Sequence, residues 1–167
     1  TAEILAQKDG DEPFIDKVLD KAGQKGTGSW SVTSAMDLGV PSSIISEALM
    51  ARYLSEMKDD RFRAEKKYNL PRKTFSGDKQ KFFNSVQDGY RGARIINHGI
   101  GFHLLCEARS AHEWQAGLSD IARIWTKGCI IQSQLMVKLV DILESDDSVL
   151  LHNDIVGHLQ SSTSALK

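Results

Sequence analysis

The chain has 167 residues with a hydrophobic fraction of 41% and a charged fraction of 26%, which are proportions typical of a globular domain. A chain of this length buries about two-thirds of its unfolded surface, which suffices for one core and predicts one domain over residues 1–167. The formal net charge of −1 comes without a long basic block, which argues against a nucleic-acid partner.

The apolar spacing predicts helices nearly throughout and no strand, because no segment shows sustained alternation of apolar and polar residues. Acidic residues and Pro13 predict the start of a first helix, which Gly23 ends. The acidic and basic residues 59–61 are interpreted as a solvent-exposed helix end, and Pro71 interrupts the helical pattern. Further helices are predicted over about residues 29–38, from Pro41, and over about 119–127, 129–144 and 149–160, with residues 161–167 frayed.

The longest predicted helix begins at a cap formed by Ser76 or Asp78 and extends to about Trp114. Four glycines interrupt it, and each weakens a helix by about 1 kcal/mol relative to alanine. Close approach of a neighbouring helix would explain why they are there. The sequence therefore predicts an all-α, multi-helix domain with one long, buried central helix that contains Gly89, Gly92, Gly99 and Gly101.

A glycine-rich loop with the sequence GQKGTGSW occupies residues 23–30. Gly26 and Gly28 can adopt positive φ and turn backbone N–H groups toward an anion, Lys25 supplies charge, and Thr27 supplies a hydroxyl donor. The following helix adds the positive end of its dipole. The glycine spacing matches neither the Walker nor the Rossmann motif. On composition alone, a phosphate-binding loop and a plain connection between helices both stay open.

Arg52 lies three, four and seven residues after Leu49, Ala48 and Ile45, which places its stem on the apolar side of the helix that follows Pro41. A cation in this position requires a partner or access to water. Pairing with Glu56 and extension into solvent are the ordinary solutions. A phosphate ligand is the third, because the guanidinium fork matches phosphate geometry.

Other groups give little support for metal, disulfide or membrane chemistry. His98 and His103 are five residues apart, which does not place them together on one helical face. Cys106 and Cys129 form no C-x-x-C pair and are predicted to be buried small hydrophobes in a reducing compartment. Charged residues interrupt the segment 121–143, so no membrane span is predicted, and the first residues lack a signal-peptide pattern.

Longer stretches of the sequence occur together in one known family. They are KGTGSW at 25–30, SAMDLGVP at 34–41, ARYLS at 51–55, GFHLL at 101–105 and IARIWTKGCIIQS at 121–133. In this order they resemble the substrate domain of the decarboxylating 6-phosphogluconate dehydrogenases, and the resemblance covers nearly the whole chain. Most members have lysine where this chain has Ser29, which removes one cation near the loop.

The resemblance implies an enzyme of the pentose phosphate pathway and of gluconate utilisation. Family members oxidise 6-phosphogluconate with NADP and decarboxylate the product to ribulose 5-phosphate and CO2, using a lysine base and a glutamate acid. By this resemblance Lys25, Thr27 and Arg52 bind the substrate phosphate, and the backbone of Gly26 and Gly28 lines the same site. No catalytic, cofactor-binding or metal-binding residue is expected on this chain.

The resemblance also implies what completes the enzyme. The NADP-binding domain, the helix with the catalytic lysine and a C-terminal tail that reaches the partner subunit are expected outside residues 1–167, which makes this chain a partial C-terminal helical domain. A cytoplasmic homodimer is expected, and the isolated chain is expected to be inactive. Two alternatives stay open: a stand-alone helical interaction module without catalysis, and another sugar-phosphate or hydroxyacid dehydrogenase of the wider superfamily.

Overall fold

The computed structural model describes residues 2–71, 74–145 and 148–163, and these are mainly helical. Within the described residues, no helix is both long and apolar enough to cross a bilayer. In chain order the elements are α1 (Ala2–Leu5), β1 (Lys8–Asp9), β2 (Glu12–Pro13), a first 3₁₀ turn (Phe14–Lys17), α2 (Thr27–Asp37), α3 (Ser43–Glu56), α4 (Lys58–Tyr68), α5 (Lys79–Ala111), α6 (Leu118–Ile124), α7 (Gln134–Ser145), a second 3₁₀ turn (Val149–Leu151) and α8 (Asn153–Ser162).

The main core lies in the second half of the chain, where α6 packs on α7, and α8 and the second 3₁₀ turn pack on α5. The sequence of α7 explains its place in the core, because its buried residues recur mainly at three- and four-residue spacing and form one apolar face. Burying a large apolar side chain stabilises the fold by about 1.5–3 kcal/mol. The largest fully buried side chains are Phe102, Leu118, Met136, Leu139 and Ile155.

The long glycine-containing helix is confirmed as α5, with 33 residues. Asp78 is its cap, because its carboxylate accepts a hydrogen bond from the backbone N–H of Lys81 at 3.1 Å. Only the part from Gly92 onward contributes buried residues, whereas Phe82 and Phe83 near its start are 46% and 61% exposed. The prediction of a buried central helix therefore holds for the second part of α5 and is wrong for the first.

Two of the glycines in α5, Gly99 and Gly101, differ in how closely other parts of the chain approach them. A Cβ built on Gly99 would lie 2.5 Å from Cδ2 of Leu150, so the second 3₁₀ turn approaches α5 closely at this point. A Cβ built on Gly101 would meet nothing within 4 Å. Close approach therefore explains Gly99 and does not explain Gly101.

The predicted first helix, with its start at residues 11–13 and its end at Gly23, is wrong. β1 and β2 form a short antiparallel hairpin in which Lys8 pairs with Pro13, and the turn contains Gly10 at φ 65°. Residues 19–25 have no regular structure. The apolar residues of this segment are exposed, Leu19 by 67%, so no buried face supports a helix.

Several other boundaries also differ from the prediction. Residues 59–61 lie in the first turn of α4, where the acidic side chains interact favourably with the positive end of the helix dipole. Only Met57 separates α3 from α4. Helix α7 begins at Gln134 because the chain turns at Gly128, which has φ 71°, and Ser133 caps the helix. The last predicted helix divides into the second 3₁₀ turn and α8, which includes residues 161–162; residues 164–167 lie outside the described residues.

Helices α2 and α3 pack against each other, and the buried residue of each is Ala35 in α2 and Leu49 in α3. Gly39, at φ 69°, ends α2, and the next backbone N–H, that of Val40, returns to the carbonyl of Ala35 at 2.8 Å. This tight turn brings α3 back beside α2. As a result, the start of α2 and the middle of α3 face the same space.

Candidate functional site

A cavity of about 670 Å³ lies between the glycine-rich loop, the start of α2 and one side of α3. The three side chains that the sequence singles out, those of Lys25, Thr27 and Arg52, all line it. The remaining lining residues are Gly23, Gln24, Gly28, Ile45, Ala48 and Leu49. The fold therefore brings the predicted site residues of the loop and of α3 to one place.

The loop ends in a backbone conformation that only glycine adopts easily. Gly26 has φ 102° and caps α2, so that Thr27 and Gly28 form the first turn of the helix. Backbone N–H groups in a first helical turn have no partner within the helix and carry the positive end of its dipole. Ser29 fixes this turn, because its hydroxyl donates to the carbonyl of Gly26 at 2.8 Å.

Gly28 serves a different purpose from the one predicted. It belongs to α2 and is absent from the positive-φ residues of the described chain, so the expectation that it adopts positive φ is wrong. A Cβ built on Gly28 would lie 3.3 Å from Cδ1 of Leu49. Glycine at this position therefore allows α2 to approach α3 closely beside the cavity.

The cations that face the cavity have no competing partner among the described residues. Neither Lys25 nor Arg52 forms a side-chain hydrogen bond or ion pair with any residue that the structure describes, and both are exposed. Glu56 does not pair with Arg52; its carboxylate lies beside Gly23, with Oε1 3.4 Å from the position of a Cβ there. The guanidinium group of Arg52 is therefore free to bind a ligand at the cavity.

Gln24 is a lining residue that the sequence did not single out. Its side-chain carbonyl oxygen accepts a hydrogen bond from the backbone N–H of Gly26. The backbone N–H of Gly26 was expected to face an anion, but in the structure it donates to the uncharged side-chain oxygen of Gln24. A single glutamine in a glycine-rich loop gives no pattern from which this contact could be predicted.

The lining residues define what the cavity can do. Two cations, one hydroxyl and a helix N-terminus favour an anion with several oxygen atoms, such as a phosphate. No carboxylate or imidazole is among the lining residues, so a carboxylate–imidazole acid–base pair is not part of this cavity. The cations and neutral donors of the cavity are those of an anion-binding site.

The remaining candidates of the sequence lie elsewhere. Nδ1 of His98 lies 2.7 Å from the carbonyl oxygen of Arg94 one turn earlier, and no group of three or more potential metal ligands occurs within the described residues. Cys106 and Cys129 are free and half-buried, so the prediction of full burial is wrong for both. Cys129 lies in the turn after α6 rather than in a helix, and its thiol donates to the carbonyl of Trp125.

Comparison with known proteins agrees with the sequence resemblance. The family described as "6-phosphogluconate dehydrogenase, C-terminal domain" matches residues 1–167. The decarboxylating 6-phosphogluconate dehydrogenase of Schizosaccharomyces pombe is 38% identical over 156 residues, which cover 91% of this chain and 32% of that protein. The enzyme of the same name from Lactococcus lactis subsp. lactis is 38% identical over 151 residues, covering 89% of this chain and 32% of that protein.

The fold has a counterpart among solved structures. The 6-phosphogluconate dehydrogenase of Plasmodium falciparum, described in its apo form and in complexes with its cofactor NADP+ and its substrate 6-phosphogluconate, superposes with a TM-score of 0.90. The two sequences are 30% identical, and the match covers 98% of this chain and 37% of that one. The chain spans about a third of the length of the curated relatives it matches. These matches confirm the all-α fold and show that the chain belongs to the 6-phosphogluconate dehydrogenase C-terminal domain family.

Proposed function

We propose that this chain is the substrate-binding helical part of a decarboxylating 6-phosphogluconate dehydrogenase, and that its cavity binds the phosphate group of 6-phosphogluconate. The observation that carries the proposal is the convergence of Lys25, Thr27 and Arg52 on one cavity at the start of α2. The substrate is identified from the relatives, which are decarboxylating 6-phosphogluconate dehydrogenases by name. The reaction is the oxidation and decarboxylation of 6-phosphogluconate to ribulose 5-phosphate and CO2, with NADP as the oxidant.

The charges of the cavity fit this substrate better than its unphosphorylated form. A phosphate monoester carries nearly two negative charges at neutral pH, and Lys25 and Arg52 supply two positive ones. Arg52 can donate two parallel hydrogen bonds, and Thr27 adds a neutral donor. Gluconate lacks the phosphate group, so it would leave these donors unused. The site therefore selects the phosphorylated sugar acid.

The chain contributes binding, and the rest of the enzyme contributes the chemistry. We place the NADP-binding domain, the lysine base, the glutamate acid and the C-terminal tail outside residues 1–167, so the chain is a partial C-terminal helical domain that binds no NADP itself. The coverage of about a third of each curated relative is in keeping with this division.

The enzyme is further proposed to be a cytoplasmic homodimer. Large apolar side chains are exposed on the helices of the first half of the chain, for example those of Trp30, Phe62 and Phe83, and such surface is usually covered by another domain or subunit. Two free cysteines are compatible with a reducing compartment. Size-exclusion chromatography with light scattering measures the mass of the assembly directly.

Reduction of NADP provides the test of this proposal. The full-length enzyme should reduce NADP with 6-phosphogluconate, and residues 1–167 purified from a host without its own enzyme should give no signal above background. Turnover by residues 1–167 alone would overturn the division of roles. A full-length protein without turnover would favour the alternative of an interaction module without catalysis.

A further inference from the structure

The segment that leads into the glycine-rich loop is held by contacts from a helix far along the chain. Residues 19–25 have no regular structure of their own. Arg61, in the first turn of α4, binds this segment with its guanidinium group: Nη1 donates to Oδ2 of Asp20 at 3.0 Å, and Nη2 donates to the carbonyl of Asp20 at 2.7 Å. Nη2 also donates to the carbonyl of Ser55 at 3.1 Å, near the end of α3. One side chain therefore joins the loop segment, α3 and α4.

Two further contacts support the same junction. The backbone N–H of Ala22 donates to the hydroxyl of Ser55 at 3.1 Å, and the ammonium group of Lys58 donates to the carbonyl of Leu19. Asp20 itself has φ 51°, a backbone conformation that is uncommon outside glycine and that the contacts of Arg61 hold in place. On the loop side, the contacts of Arg61, Ser55 and Lys58 all involve residues 19–22, which directly precede Gly23.

This junction connects the segment that precedes Lys25 to the helix that carries Arg52. Ser55 lies on α3 about one turn beyond Arg52, whereas Ala22 precedes Lys25 by three residues, which span at most about 11 Å. Because the Lys25 side chain has no partner among the described residues, the position of its backbone sets the region that its charge can reach. A loop released from Ser55 and Arg61 would leave Lys25 free to move away from Arg52.

We propose that Arg61 is a positioning residue for the phosphate site, which rests on the function proposed above. Arg61 is not among the residues that line the cavity, and its charge is balanced by Asp20. It therefore acts through geometry: its fork of donors holds the loop that carries Lys25 against the helix that carries Arg52. Because a misplacement of about 1 Å can cost a large factor in binding or rate, losing this junction weakens recognition of the phosphate.

The test uses the full-length enzyme with Arg61→Gln and with Arg63→Gln as the matched control. Arg63 lies on the same helix, is 80% exposed and pairs only with Asp60 among the ion pairs of the described residues. We expect Arg61→Gln to raise the KM for 6-phosphogluconate about tenfold, while its kcat, the KM for NADP and the kcat/KM for gluconate stay within about twofold. Arg63→Gln should match the unaltered enzyme.

Arg61→Lys separates geometry from charge. Lysine keeps the positive charge but has no planar fork with which to reach two carbonyls and a carboxylate together. We therefore expect Arg61→Lys to retain most of the rise in KM. A lysine variant with the original KM would overturn the proposal in favour of simple charge attraction, and so would an Arg61→Gln variant with an unchanged KM or with equal losses for gluconate and 6-phosphogluconate.

Ser55→Ala is the second variant, in case Arg61→Gln does not fold. It removes only the acceptor of the Ala22 N–H, so we expect faster amide hydrogen exchange in residues 22–26 and a rise in KM of about two- to threefold. Faster exchange with an unchanged KM would overturn the proposal. The Arg52→Ala enzyme is the reference. If it does not raise the KM for 6-phosphogluconate, or loses gluconate turnover equally, the proposed function fails. If Arg52→Ala raises this KM selectively and Arg61→Gln does not, only the positioning role fails.

Discussion

Replacing Arg52 with alanine is expected to weaken binding of 6-phosphogluconate while leaving the fold intact. Arg52 is exposed and has no hydrogen bond or ion pair with the residues that the structure describes, so truncation removes no polar contact of the folded chain. The change in the free energy of unfolding should stay within about 0.5 kcal/mol, as is usual for such surface positions. Any larger effect on substrate binding must therefore arise from the ligand.

The size of the effect follows from the contact that is lost. A charge-assisted hydrogen bond to a phosphate contributes about 1.5–3 kcal/mol, so Arg52→Ala should raise the KM for 6-phosphogluconate about tenfold to a hundredfold. Lys25→Ala should behave similarly, because it also removes one unpaired charge from the cavity. Thr27→Val should have a milder effect, since only one neutral donor is lost.

Gluconate provides the control for these three variants. Steady-state reduction of NADP is measured with 6-phosphogluconate and with gluconate, and thermal unfolding is recorded for each variant. If Lys25, Thr27 and Arg52 bind the phosphate, turnover of gluconate should hardly change. Equal losses for both substrates, or a KM for 6-phosphogluconate that stays the same in Arg52→Ala, would refute the assignment of this cavity to the phosphate.

Two predictions concern stability rather than binding. Gly99→Ala should destabilise the domain by about 1–3 kcal/mol, because the new methyl group would overlap Leu150. Gly101→Ala should stabilise it by up to about 1 kcal/mol, because alanine improves helix propensity and meets no neighbour there. Urea unfolding measures both free energies, and equal effects would contradict the close approach of Leu150 to Gly99. Lys138 holds the pKa of Asp154 below its ordinary value, so the stability from this exposed pair is present above that value and is lost as pH falls. The unfolding temperature of Asp154→Asn should therefore fall less on acidification than that of the unaltered chain.

The features that the sequence predicts well are those with a local signal. The start of α5 could be read from Asp78 as a cap, and its unusual length from a helical pattern that continues to about Trp114. The cavity is a mixed case. Composition alone left the glycine-rich loop open between a ligand site and a plain connection, and the family resemblance directed attention to Arg52 on another helix.

The failed predictions fall where a local signal is ambiguous or is overridden. Pro13 follows acidic residues as in many helix starts, yet it lies in β2, because the exposed apolar residues after it bury no face that would support a helix. The start of α4 follows α3 after a single residue, Met57, and no glycine or proline marks the break. Gly28 has the residue type of a turn but the packing role of a helix contact.

The geometry of the site depends on contacts that no local pattern can contain. Arg61 is 41 residues from Asp20, and Ser55 is 33 residues from Ala22, so helical spacing carries no information about either contact. On the sequence, Arg61 resembles any charged residue beside two aspartates on a solvent-exposed helix. The chemical groups of the proposed phosphate site can thus be recognised from a short stretch of residues, but the contacts that join the loop segment to α3 and α4 cannot. If Arg61 has the positioning role proposed above, a variant of this chain that keeps GQKGTGSW and loses Arg61 should keep the donors of the site and lose their arrangement.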